Sequence, residues 1–269
     1  MRVVVGNIVA IYRRELQGYF ASPLAYGIAG VFWFLTGLFF VAILLGPQGI
    51  IQQAAFQDLQ GQQGGVAPPL DVPYEFLRFF LGVLGSISLF ILPMLSMGLY
   101  TEERKRGTLE LLATSPITNW AVALGKLLGV LTFFITLVLP LLALEAIAFS
   151  YANPPMNLGV MLLGHAGLIL LAAAVLSLGM FISSLTDSTI LAAILTFVLI
   201  LFLWVIDLVA KAIGGPMGAA IAHLSLVKHY DNLSQGVVDT SSLVVFVSYV
   251  LLGLFLTAQS IEALRFQRS

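Results

Sequence analysis

The sequence predicts an all-α integral membrane protein, with six transmembrane helices preceded by an N-terminal amphipathic helix at the membrane surface. Three observations carry this. The 269 residues are 59% hydrophobic with a mean hydropathy of +1.03, where soluble chains sit nearer about 45–50% apolar. Charged residues make up only 9%, against about a quarter in soluble chains. Six segments are long and apolar enough to cross a bilayer, which takes about 20 residues of helix. A net charge of −1 gives a nucleic acid nothing to bind. The absence of Cys excludes a disulfide framework, an iron–sulfur site and a thiol nucleophile.

Residues 2–20 open the chain. At about 100° per residue, Val4, Val5, Ile8, Ile11, Tyr12, Leu16 and Tyr19 gather on one arc, and Arg2, Asn7, Arg13, Arg14 and Gln17 on the other. That is a helix for the membrane interface, with its arginines near lipid phosphates. Ser22-Pro23 ends it. Glu15 breaks the pattern by falling inside the apolar arc. Either it reaches water past the helix edge, or it pairs with Arg104, Arg106 or Lys126 and braces this helix, with Arg13 and Arg14, against the charged loop described below.

The spans follow: Leu24–Leu45, Phe76–Leu99, Val122–Leu144, Leu158–Ile182, Ile190–Ala210 and Leu243–Glu262. Pro93 and Pro140 lie inside two of them and predict kinks. Lys and Arg set the orientation. Arg2, Arg13, Arg14, Arg104, Lys105, Arg106, Lys126, Arg265 and Arg268 share one side, against Arg78, Lys211 and Lys228 on the other. The first side, with both termini, is therefore cytoplasmic. Of the outer loops, Gly46–Glu75 is rich in Gln, Gly and Pro and reads as irregular and mobile. Lys211–Ser242 is too apolar for a free loop and reads as a re-entrant or interfacial segment. Arg78, Glu145 and Asp207, near outer span ends, read as snorkelling charges.

The loop between spans two and three, residues 100–120, is a charged island: six of the ten residues from Thr101 to Glu110 are charged. Span two predicts a helical extension through Arg106, with Glu102 and Arg106 in the favourable i,i+4 order. Gly107 can end it. Thr108 can cap a second short helix whose apolar contacts are Leu109, Leu111 and Leu112, with Glu110 in its first turn. Ser115-Pro116 ends that helix, and Thr118 or Asn119 can cap span three. A short helix apolar on one side and charged beside it suits docking against a cytosolic protein. A merely solvated loop is the plainer alternative.

Thr101-Glu-Glu-Arg-Lys-Arg-Gly-Thr-Leu-Glu-Leu-Leu-Ala-Thr-Ser-Pro116, with Gly125-Lys126 beyond it, resembles the signature of ABC-2-type transporter permeases. The stretches 12–26 and 229–239 are similar to the gliding-motility-type branch. The resemblance implies one six-helix, type V exporter-like transmembrane domain over 1–269, dimerising with itself or a second permease, with residues 1–22 as its connecting helix. It implies cytosolic ABC ATPase subunits that bind ATP and Mg, so that this chain binds no cofactor of its own. It implies a coupling helix near Thr108–Ala113, with Glu102, Glu103, Arg104, Arg106, Gly107, Thr108, Leu109, Glu110, Leu111 and Pro116 at the contact. An auxiliary membrane protein often accompanies the branch, and a bacterial inner membrane is the expected location.

The residues offer little chemistry of their own. Gly125-Lys126 is followed by Leu127 in apolar surroundings and makes no P-loop. No Gly-x-Ser-x-Gly is present. His165 is the one mid-span His, with no evident carboxylate beside it. A packed or pore-facing His, the latter on the translocation path, is the common case there, and a catalytic His the sharper one. His223 and His229 are wrongly spaced for a helical metal pair. A solitary secondary transporter would want more ionisable groups at mid-span. A scaffold for an envelope or motility machine fits as an alternative to an exporter. No substrate can be read from the sequence; the uncharged spans lean toward lipid-like cargo.

Overall fold

Helix starts are set by small polar residues whose side chains take up the first free N–H groups. The Ser22 hydroxyl accepts from Ala25 N–H at 3.4 Å, and Pro23 fills the first helical position. Asp71, Asn157, Ser188 and Ser225 play the same part for later helices. Thr118 occupies the cap position of the third span without a side-chain bond. The computed structural model describes residues 2–62, 70–109, 117–153 and 155–266. In chain order the helices are α1 (Arg2–Ala21), α2 (Pro23–Leu45), α3 (Ile50–Gln62), α4 (Val72–Ser96), α5 (Gly98–Lys105), α6 (Asn119–Ala148), α7 (Leu158–Leu185), α8 (Thr189–Ile213), α9 (Gly215–Ala222), α10 (Leu226–Ser234) and α11 (Thr240–Phe266). No strand occurs among the described residues. The protein is an all-α, multi-pass membrane protein with six helices long and apolar enough to cross a bilayer: α2, α4 with its extension α5, α6, α7, α8 and α11.

These spans are alike in hydropathy but not in packing. The most apolar stretch of α7 is 78% buried, whereas that of α8 is 22% buried. α7 is the hub, packed on α4, α5, α6, α8, α10 and α11. Small residues let the neighbours in, as expected where close packing rather than water exclusion holds helices together: Gly164 lies against Leu81, Gly167 against Leu233 and Gly179 against Ser96. α1 lies along α6. A Cβ at Gly125 would sit 2.9 Å from Ile11, and one at Gly129 2.8 Å from Glu15, so this contact needs glycine at both places. Ile8, Ile11, Tyr12, Glu15, Leu16 and Tyr19 are half-buried, while Arg13, Arg14 and Gln17 are exposed. Tyr19 stacks on Phe133 of α6 and donates to the Leu95 carbonyl of α4 at 2.6 Å.

The segment read as an irregular outer loop is more ordered than the sequence predicts. α3 occupies much of the stretch read as irregular. Gln and Ala are good helix formers, and Ile51, Phe56 and Leu59 give α3 exposed apolar positions; the Gln, Gly and Pro run at 63–69 lies outside the described residues. The segment read as re-entrant or interfacial holds two short helices, α9 and α10. Gly214 and Gly215, at φ +63° and +60°, make the turn into α9. α10 turns His229, Tyr230 and Leu233 inward, and the Tyr230 hydroxyl donates to the Leu81 carbonyl at 2.5 Å.

Candidate functional site

Lys126 organises the charged end of the bundle. It lies in the second turn of α6 and is 4% exposed. A buried ammonium is costly unless it is paired and hydrogen-bonded, and here it has two hydrogen-bond acceptors and a second carboxylate in ion-pair range. Nζ is 3.2 Å from Glu15 Oε2 on α1, 3.0 Å from Glu103 Oε1 on α5, and donates to the Leu99 carbonyl at 2.7 Å. It also stands over the Tyr100 ring, 5.0 Å from its centre. One side chain therefore ties together α1, α5 and α6. Burial raises the Glu15 carboxyl above its ordinary 4.5; Lys126 offsets part of that rise and Glu103 adds to it. Of the three cations considered for Glu15, Lys126 is the one in contact with it.

A second clamp joins the island to α7. The helix of span two is interrupted at Met97, one turn after Pro93, and resumes as α5. Ser183 covers that interruption: its hydroxyl accepts from Tyr100 N–H at 2.9 Å and Thr101 N–H at 3.2 Å, and donates to the Met97 carbonyl at 2.9 Å. Arg104 donates to the Ser184 carbonyl at 2.7 Å. Glu102 and Arg106 make an exposed i,i+4 contact at 3.6 Å. Gly107 follows with φ +70°, a value that side chains disfavour, and ends α5. The Thr108 hydroxyl donates back to the Glu103 carbonyl at 3.2 Å, and Leu109 is buried at 2% exposure. Glu110, Leu111 and Pro116, also proposed for the contact, lie outside the described residues. A cavity of 780 Å³ opens beside the cluster, with Arg14, Glu15, Glu103, Arg106 and Lys126 on its walls.

The structure overturns the reading of Glu145 and His165. Glu145 does not snorkel: it is 0% exposed, one turn from the end of α6, and His165 of α7 is 2% exposed with Nε2 3.4 Å from Glu145 Oε1. His165 does have a carboxylate beside it. The physical reason is rotational: Glu145 lies on the face of α6 that packs on α7, and no periodicity within an all-apolar helix marks that face. The pair sits toward one end of α6 and α7, buried between them. His223 and His229 stack with ring centres 6.2 Å apart, and His229 is held by Ser242 and the His223 carbonyl. No group of three His, Cys, Asp or Glu suited to a metal occurs among the described residues.

Sequence reasoning undervalued Lys126, Ser183, Ser184 and Glu145. Lys126 and Glu145 had a usable signal, each being a solitary charge within or at the end of a long apolar run. The two serines had none, because hydroxyls in a membrane helix bond their own backbone as readily as a neighbour.

Residues 71–211, a little over half of the chain, match the family described as ABC-2 family transporter protein. The matched stretch includes α4, α5, the island and its clamp on α7. A search of curated proteins finds no significant match.

Proposed function

This chain belongs to the ABC-2 family of transporter proteins, and on that premise we propose that it is a permease subunit driven by a separate cytosolic ABC ATPase, working as an exporter. The observation that carries the reading is the anchoring of the charged island: Lys126 and Ser183 join it to α1, α6 and α7. ATP and Mg bind the partner. ATPase closure pushes on residues 108–113. The push enters α5 and α6, which flank that segment, and passes through Glu15–Lys126–Glu103 to α1 and through Ser183 and Arg104 to α7. A loop held by one span would bend; a loop tied to three helices moves them together. Coupling further requires that cargo bind the two states unequally. Two copies, or this chain with a second permease, form the path between them in the bilayer, with both termini and the island in the cytoplasm of a bacterial inner membrane. The gliding-motility branch, with its auxiliary membrane protein, rests on 12–26 and 229–239, which the family match does not cover.

Leu111→Asp tests the docking role. We expect the variant to insert normally and to lose ATPase stimulation in membranes containing its partner; retained stimulation and transport would refute the role.

A further inference from the structure

Glu145 and His165 form a buried polar pair that the coupling scheme does not use. Among the described residues neither Glu145 oxygen nor His165 Nε2 has a hydrogen-bond partner, and the approach of Nε2 to Oε1 at 3.4 Å is outside good hydrogen-bond alignment. The other imidazole nitrogen is committed: Nδ1 is 2.9 Å from the Met161 carbonyl. A carbonyl only accepts, so Nδ1 must carry the proton. In a neutral ring that leaves a lone pair on Nε2, aimed at Glu145. An ionised carboxylate there would set lone pair against lone pair with no water between them. The contact is attractive only if the pair holds one further proton, on Nε2 or on the carboxyl.

Among the described residues no side chain is in hydrogen-bond contact with Glu145 or His165 Nε2 to substitute for that proton. The neighbouring helices carry these ionisable groups toward the same end: Glu75 and Arg78 of α4, Lys211 and Asp207 of α8 (the Asp207 side chain lies outside the described ones), and Lys228, His229, Tyr230 and Asp231 of α10. Arg78, Lys211 and Asp231 are exposed, and Glu75 and Lys228 are half-buried. His229 is held by Ser242 and the His223 carbonyl, and the Tyr230 hydroxyl donates to Leu81. α2 has no charged residue, and those of α1 and α11 lie toward the opposite end.

We propose that Glu145 and His165 are a proton-binding site bridging α6 and α7, occupied whenever the two helices are packed. If the helices part at this end, both groups meet water, where imidazole loses its proton above about pH 6.5. Closure then takes a proton up, and the packed form weakens up to about tenfold per pH unit above that value. This holds whether or not an ATPase drives the chain.

Gly164-His165 is the one Gly-His pair in the sequence, so carbonyl-labelled Gly with nitrogen-labelled His assigns this ring without mutation. The readouts on the full-length protein in lipid nanodiscs are the nitrogen shifts of His165 and the carboxylic-acid infrared band lost in Glu145→Gln. At about pH 8, where an exposed imidazole is neutral by about 30 to 1, we expect imidazolium and protonated carboxyl together to account for one proton. In Glu145→Gln the amide can donate to Nε2, so we expect a neutral ring protonated at Nδ1. A wild-type ring that is neutral and protonated at Nε2 alone, beside an ionised carboxylate, overturns the proposal, as does a Glu145→Gln ring that titrates like the wild type.

Discussion

Lys126 is the residue on which the charged end depends. Removing it leaves two half-buried carboxylates facing each other, and breaking a buried pair in this way costs about 3–5 kcal/mol. We expect Lys126→Met to lower stability on that scale in a detergent unfolding titration, with Lys126→Arg falling between, since a planar guanidinium does not fit an ammonium site. Glu15 sets a pH dependence of definite sign. Its carboxyl is raised in the fold, so the folded chain holds the proton more tightly than the unfolded one. Stability then falls as pH rises from about 4.5 through the raised value and is level above it. Glu15→Gln should flatten that fall, seen as melting temperature against pH. At this scale the sequence was partly legible. A carboxylate on an apolar arc announces a partner, and Lys126 was among three candidates. Which cation meets it depends on how α1 rotates against α6, and that is fixed by Gly125 and Gly129.

The elements raise a different question, how a surface helix is held to a membrane bundle. α1 lies on α6 because two glycines one turn apart remove the side chains that would hold it off. We expect Gly129→Leu to displace α1 and separate Glu15 from Lys126. The chain has no native cysteine, so Tyr19→Cys with Phe133→Cys, at two positions whose native rings stack 5.1 Å apart, offers a clean check: a short thiol cross-linker should join them in the membrane and should fail to do so once Gly129→Leu is added. The break at Ser22-Pro23 was read from proline chemistry, whereas the caps at Asp71 and Ser188 carried the same kind of signal and went unread. α3 was not, because its Gln-rich composition serves a loop as well as a helix. The place of α7 at the centre was unreadable for another reason: all six spans are apolar throughout, and hydropathy does not tell a helix facing lipid from one facing its neighbours.

For the whole molecule, the spans, the family and the charged island were in the sequence, whereas the contacts that hold α5, the start of the island, to the bundle join residues far apart in the chain. Glu103 meets Lys126, Tyr100 and Thr101 meet Ser183, and Arg104 meets Ser184. Orientation is open to labelling: a single cysteine at Lys105 should react with a membrane-impermeant reagent only from the cytoplasmic side, and one at Phe56 only from the other. The central claim is that energy enters through the island from a nucleotide-binding partner. The most direct measurement places a photo-activated cross-linking side chain at Leu111 in native membranes, with a control at Leu59 of α3. We expect the Leu111 probe to capture a chain carrying a P-loop and the Leu59 probe to capture none. Cross-links from Leu111 to lipid or to a second copy alone, with no nucleotide-binding chain, would contradict it.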